Sequence, residues 1–243
     1  MSEILKRCTR CEKEKALHDF YPNKDGKHGR RGKCKSCHNE RFRHHSKKRN
    51  QLKKKLPNTL TSKEKYLILV EHANSKCMLS GTSEAVVLDH FVPINLGEIV
   101  VEYGIGGTTY ENMLPLSASL NKSKSADNPF VWFETASIKH NLDLNAWDKA
   151  IKYMAVKNKM TKWEYRNCVE QCFMHARIIR WVEDLDDSVN ERHGRPTAIL
   201  GRGIRMGINM EEAVSRYGTE SSKEYIKKQQ EYIRKLKKIE KIF

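Results

Sequence analysis

The sequence predicts an α+β chain: a small cysteine-bounded module, then a middle of short strands and loops, then a helical C-terminal region. Three observations carry this. Two Cys-x-x-Cys pairs, Cys8/Cys11 and Cys34/Cys37, fall within the first 40 residues. Residues 77–116 hold five glycines and short apolar runs such as Ala85-Val86-Val87-Leu88, a pattern that suits strands and loops. From Ser117 onward, apolar residues recur at helical spacing.

The charge is unevenly placed. The 243 residues include 46 Lys/Arg and 30 Asp/Glu, for a net +16. Residues 1–57 hold 19 basic and 6 acidic groups and residues 220–243 hold 8 and 4, while the stretch between holds 19 and 20. Basic ends around a near-neutral body suit a polyanion, most simply nucleic acid; the competing reading is a solvated surface that keeps the chain soluble. There is no apolar run of the roughly 20 residues that a membrane span needs. The first residues, MSEILKRCTRC, lack the apolar stretch of a secretory signal. A reducing, cytoplasmic setting is therefore expected, with the seven cysteines as metal ligands or buried thiols rather than disulfides. The sequence does not give the oligomeric state.

Residues 1–42 read as a zinc-binding module. Two knuckles separated by 22 residues place Cys8, Cys11, Cys34 and Cys37 as four thiolates for one structural Zn2+. Neighbouring Arg10, Lys33 and Lys35 are expected to favour the thiolates, and His38 is a weaker ligand candidate. Forty residues with so little apolar content need such an ion to fold. Residues 43–60 read as a basic linker or arm, a helix extension or connector lying along phosphates, with Lys47, Lys48, Arg49, Lys53, Lys54 and Lys55; Arg30 and Arg31 extend the basic face. Thr61 and Glu64 form a capping box ahead of a helix of three to four turns. Helices follow at SASLNKSKSA, PFVWFETAS and NAWDKAIKYMAVK, and a second capping box, Thr161 with Glu164, opens a long one. Gly194, Pro196, Gly201, Gly203 and Gly207 are expected to break the chain before one last polar helix over 223–241.

The chemistry is concentrated in Leu88-Asp89-His90-Phe91-Val92-Pro93, then Glu111-Asn112-Met113-Leu114-Pro115-Leu116, then Asn121-Lys122-Ser123-Lys124. A carboxylate and an amide oxygen are hard ligands suited to Mg2+, and a neutral histidine is the natural base near pH 7. Adjacent residues on a strand face opposite ways, so Asp89 and His90 act together only if the strand bends.

These pieces, over 77–124, resemble the HNH (His-Me finger, ββα-metal) endonucleases of the phage type. The resemblance implies a DNA-cleaving phosphodiester hydrolase, nicking or cutting both strands, with a homing or genome-processing role, and with the host cytoplasm as its location if phage-encoded. By position, Asp89 and Asn121 would hold the catalytic ion (Mg2+ or another divalent cation), His90 would be the general base, and Asn112 would orient it. Lys122 and Lys124 would contact phosphate. The segment KRCTRCEKEKALHDFYPNKDGKHGRRGKCKSCHNERFR is similar to the zinc-ribbon module that precedes such nucleases and is expected to help bind DNA. The implied division is 1–42 ribbon, 43–60 arm, 61–135 nuclease core, 136–193 helical extension, and 194–243 basic helices as candidate DNA contacts.

Three departures or additions remain. The second zinc that many HNH domains carry is not expected, because Ser80, Ser117 and Leu120 stand where cysteines would be; Cys77 is then a buried residue. Cys168, Cys172 and His175 share a helical spacing that a metal could use, but neighbouring Phe173, Ile178, Ile179 and Trp181 favour a packed core. Arg202, Arg205, Gly207 and Glu211-Glu212-Ala213 resemble the short C-terminal DNA-binding repeats of some homing endonucleases, against the simpler reading of a loop entering a helix. The competing function is a non-catalytic nucleic-acid-binding or regulatory zinc protein with a decayed HNH core.

Overall fold

A computed structural model describes residues 4–190 and 195–240; for 41–46, 48, 49, 239 and 240 the description is of the backbone. The fold is mixed α+β, with helices dominant and three two-stranded antiparallel sheets. No helix among the described residues is long and apolar enough to cross a membrane. The chain forms two compact units, 1–56 and 57–243.

Unit 1 is two hairpins and a helix. Strands β1 (Leu5–Arg7) and β2 (Glu14–Ala16) pair in register Leu5↔Ala16, and β3 (Phe20–Pro22) pairs with β4 (Arg30–Cys34) through Phe20↔Cys34. Helix α1 (Lys35–Lys55) begins immediately after Cys34. Its core is minimal: Phe20 packs among Cys8, Cys34 and Cys37, with Cys11 alongside.

Unit 2 opens with α2 (Ser62–Tyr66), whose N-terminus carries the expected capping box: Glu64 N–H donates to Thr61 Oγ1 and Thr61 N–H to Glu64 Oε2. The helix continues through Leu67–His72 as a widened turn. Strand β5 (Val86–His90) pairs antiparallel with β6 (Met113–Ser117) in the register Val86↔Ser117 to His90↔Met113. Between them lie a short helix, α3 (Ile99–Glu102), and a glycine-rich loop. Helix α4 (Ala118–Lys124) follows β6 directly, its first turn capped by Ser117. Helices α5 (Pro129–Lys139), α6 (Leu144–Lys157) and α7 (Lys162–Asn190) then bury an aromatic layer against the end of β5. Phe91 meets Phe130, Trp147 and Tyr165, and Trp147 stacks on Phe133 at 4.1 Å. The Thr161–Glu164 capping box is also present at the start of α7.

Two expectations fail in the C-terminal region. The glycines at 201 and 203 do not stop the chain: α8 (Pro196–Arg205) runs through both. A Cβ on Gly203 would lie 2.7 Å from the Trp181 indole nitrogen, so this glycine admits α7 close to α8 rather than ending a helix. Gly194 lies outside the described residues. Helix α9 (Met210–Tyr217) follows a turn at Gly207, where φ is +68°. The last helix is two, α10 (Glu220–Lys228) and α11 (Gln230–Glu240), joined at Gln229. Ile226 and Ile233 both enter a core around Trp181, Leu185, Leu200 and Val214, and a kink lets each helix present its own apolar face to it.

Candidate functional site

Unit 1 brings its four knuckle cysteines to one point. The sulfurs of Cys8, Cys11, Cys34 and Cys37 all lie within 4.8 Å of one another. Four thiolates held tetrahedrally at about 2.3 Å from Zn2+ would stand roughly 3.8 Å apart, so these residues fit the ion with little adjustment. Local backbone explains the convergence. The first knuckle is a tight turn closed by Glu12 N–H to Cys8 O at 2.9 Å, and the amides of Arg10 and Cys34 donate to Cys8 Sγ at 3.4 and 3.3 Å. The second knuckle spans the β4–α1 junction, with Cys34 as N-cap and Cys37 in the first helical turn.

The electrostatics of the cluster are divided. Burial opposes ionisation of Cys8, but the amides of Cys11, Cys34 and Arg10 outweigh it and bring the thiol down to about 6. Cys34 is lowered too: burial again opposes, and the Ser36 hydroxyl and the Cys37 amide prevail. Cys37 is pushed up to about 12, first by the adjoining Cys34 sulfur and then by burial. Four sulfurs this close cannot all become thiolates without a cation among them. Backbone amides and Ser36 lower these thiols, not the Arg10, Lys33 and Lys35 charges expected from the sequence. His38 packs edge-on against Tyr21, and the cluster among the described residues consists of the four cysteines.

In unit 2, strand β5, strand β6 and helix α4 form one strand–strand–helix unit. Asp89 is one residue before the end of β5 and is 6% exposed. Its Oδ2 lies 3.1 Å from Lys124 Nζ in the last turn of α4. That ammonium is only 1% exposed and also donates to the carbonyls of His90 and Phe91 at 3.1 and 3.5 Å. The approach to Asp89 is close but not aligned as a hydrogen bond, and Oδ2 has no other partner among the described residues. Burial pushes the Asp89 carboxyl up to about 6, against the pull of Lys124 and of the His90 amide.

His90 closes the strand, and its Nε2 shares a 2.9 Å hydrogen bond with Thr108 Oγ1. Thr108 is itself clamped: its amide donates to Pro57 O at 2.8 Å, and its carbonyl accepts from Thr59 and Leu60 at 3.1 Å each. Gly107 makes the clamp feasible. Its φ is +71°, and a Cβ there would lie 2.5 Å from Pro57 O, so a larger residue would force the loop away.

Asn112 locks the turn after His90. Its Oδ1 accepts from Val92 N–H at 2.8 Å, and its Nδ2 donates to Val92 O and Gly107 O, both at 2.9 Å. One buried amide thus joins the turn at 91–92 to the loop that holds Thr108. Asn121 is half-buried in the middle of α4. It precedes Lys124 by three residues, so the two share a helix face, and Lys124 directs that face toward β5.

Comparison with known protein families, curated proteins and solved structures finds no match for this chain.

The remaining site candidates divide by exposure. Lys122, Arg31, Lys47, Lys53, Lys54 and Lys55 are exposed, while Arg30 is half-buried and donates to Phe20 O at 3.4 Å. The side chains of Lys48 and Arg49 lie outside the described residues. Lys124, expected on the surface at a phosphate, is instead inside the unit as the partner of Asp89. Cys77 is buried, with Ser80 N–H donating to its sulfur at 3.4 Å. Cys172 is buried in the helical core, and His175 bonds Tyr217 and, at 3.4 Å, Tyr103. Arg202 is ion-paired with Asp184.

Sequence reasoning missed Thr108, Gly107 and Lys157. Lys157 donates to Met113 O at 2.8 Å and lies 4.5 Å from the ring centroids of both Tyr110 and Tyr153. Burial brings its ammonium down to about 7, against Glu111 and Glu64. The adjacent Gly106-Gly107 pair was the available signal for the loop; Lys157 leaves none in sequence.

Proposed function

We propose that this chain is a metal-dependent DNA endonuclease of the HNH type, cutting one or both strands of a duplex. The observation that carries the reading is the meeting, within residues 86–124, of a buried carboxylate, a histidine held by Thr108, an asparagine locking the turn beside it, and an amide-bearing helix.

Asp89 fits a hard dication. It offers a buried oxygen without an aligned hydrogen bond, and burial raises its carboxyl to about 6 against the pull of Lys124 and of the His90 amide. Asp89 and the Asn121 amide oxygen would hold the ion. When bound, the ion would stabilise charge on the phosphodiester and on the departing 3′ oxygen. His90 takes a proton from the attacking water, and its bond to Thr108 fixes the ring's orientation. Asn112 keeps the turn that carries His90 from relaxing. Unit 1, with its zinc, and the exposed lysines of α1 would grip the duplex electrostatically.

The test is nicking of supercoiled plasmid by zinc-loaded protein as Mg2+ is titrated. Wild type should cut in proportion to Mg2+ occupancy, and His90→Ala should lose about 10²–10⁴-fold in rate while still binding DNA. Equal cutting by the two proteins would sink the assignment.

A second reading has one observation in its favour. Lys124 already neutralises Asp89 without a metal, as it would in a non-catalytic DNA-binding protein with a decayed core. In that case Mg2+ would leave the plasmid intact and DNA binding unaltered.

A further inference from the structure

Unit 1 has a concave basic face made by its hairpins and not by α1. The cleft has a volume of about 520 Å³, and Lys6, Arg7, Lys27 and Arg30 line it, with Glu14 as the acidic lining side chain. Gly26 and Gly32 lie in its wall, the latter close against the Thr9 side chain.

Three of the four cations, Lys6, Arg7 and Arg30, are tied to neighbouring groups. Lys6 is largely buried, holds its ammonium 5.8 Å from the Phe20 ring centroid, and donates to Lys27 O at 3.0 Å. Arg7 is tied to Glu12 at 2.7 Å, and Arg30 donates to Phe20 O at 3.4 Å. Side chains already ordered in the free protein lose less freedom on binding an anion. Gly26 is required by this arrangement: a Cβ there would lie 2.0 Å from Arg30 O. The same backbone approach that seats Arg30 therefore shapes the cleft.

We propose that this cleft is a seat for backbone phosphate of duplex DNA, separate from the lysine run of α1. The choice of DNA as ligand rests on the function proposed above; the cleft's preference for an anion rests on its own charge and geometry.

The experiment measures binding of a short DNA duplex by full-length, zinc-loaded protein over a range of salt, in a His90→Ala background that prevents cutting. Lys27→Gln with Arg30→Gln removes two cleft charges; Lys13→Gln with Lys24→Gln removes two from the same unit that do not line the cleft. The cleft pair should lower the slope of log affinity against log salt by about one for each phosphate no longer neutralised, and the control pair should leave it unchanged. Lys27→Gln alone, whose role in the fold is through its carbonyl, should lower it by about one and retains zinc if Arg30 proves necessary for folding. Equal weakening by both pairs, or by neither, would overturn the proposal, as would tighter binding of an RNA duplex of the same sequence. Plasmid cutting by the His90 protein is followed in parallel. If cutting persists and the cleft variants bind like wild type, the cleft is wrong and the nuclease reading stands. If no form binds DNA, both fall.

Discussion

Unit 1 gathers four sulfurs, three of them buried, with no cationic side chain in the cluster among the described residues, whereas unit 2 buries a carboxylate together with the ammonium that partners it. The two arrangements respond differently to loss of metal. The sulfur cluster is the core of unit 1, with Phe20 as the one large apolar side chain in it. Without an ion, adjacent thiols compete for protons, and little else holds the hairpins. The Asp89 pair sits on a sheet already backed by Phe91, Phe130, Trp147 and Tyr165. A cation there would be added to a site that is formed beforehand.

The largest expected effect breaks or confirms that contrast. Zinc ions bound by four cysteines in small modules supply about 10–16 kcal/mol, so removing zinc should unfold unit 1 and leave unit 2 folded. Limited proteolysis after chelation should cleave within 1–56 while 57–243 persists. If unit 1 stays resistant, its fold does not depend on the cluster.

Next in size is the internal cation. Lys124→Met leaves Asp89 buried without its partner, and breaking a buried pair in this way costs about 3–5 kcal/mol. Chemical denaturation of unit 2 should show the loss, and the double variant Lys124→Met with Asp89→Leu should recover much of it. Failure to recover would mean that the His90 and Phe91 carbonyls, not Asp89, are what Lys124 serves.

The pH responses of two buried groups in unit 2 have opposite signs. Asp89 is raised to about 6 in the fold, so it binds its proton more tightly there than in the unfolded chain. Its contribution is fully present below its unfolded value near 3.9 and is lost as pH rises through 6, a loss of roughly 3 kcal/mol. Lys157 is lowered to about 7. Its contribution is present above the unfolded value near 10.4 and is lost as pH falls through 7. Metal-free stability measured from pH 4 to 10 should therefore change slope on Asp89→Asn in the acid range and on Lys157→Met in the alkaline range. Exchanged ranges would show that the assignments are reversed. The smallest effect is at the surface: Thr161→Ala removes a capping-box oxygen and should cost about 1 kcal/mol in thermal or chemical unfolding.

Features set by local chemistry were legible in the sequence. Cysteine spacing gave a cluster that the fold closes, and both Thr-x-x-Glu pairs form capping boxes. Asp89 and Asn121, singled out in the sequence, lie on β5 and α4, and Asn112 lies on the turn before β6. The missed features depend on neighbours distant in sequence. Lys124 reads as a surface charge until β5 lies beside α4. Gly203 reads as a helix breaker until Trp181 is packed against it. Thr108 has no signature of its own; its position depends on Pro57, about fifty residues earlier. The break at Gln229 follows from the need of Ile226 and Ile233 to reach one core from two helices.

The cysteine cluster also bears on the order in which the chain acquires structure. Its outermost cysteines, Cys8 and Cys37, enclose a short loop near the start of the sequence, and loop closure is cheapest when the loop is short. During synthesis from the N-terminus, all four sulfurs emerge before Asp89 has been made. A metal captured by these sulfurs would be in place while the Asp89 unit is still nascent, so unit 1 would leave the ribosome as a finished basic module ahead of the segment it accompanies.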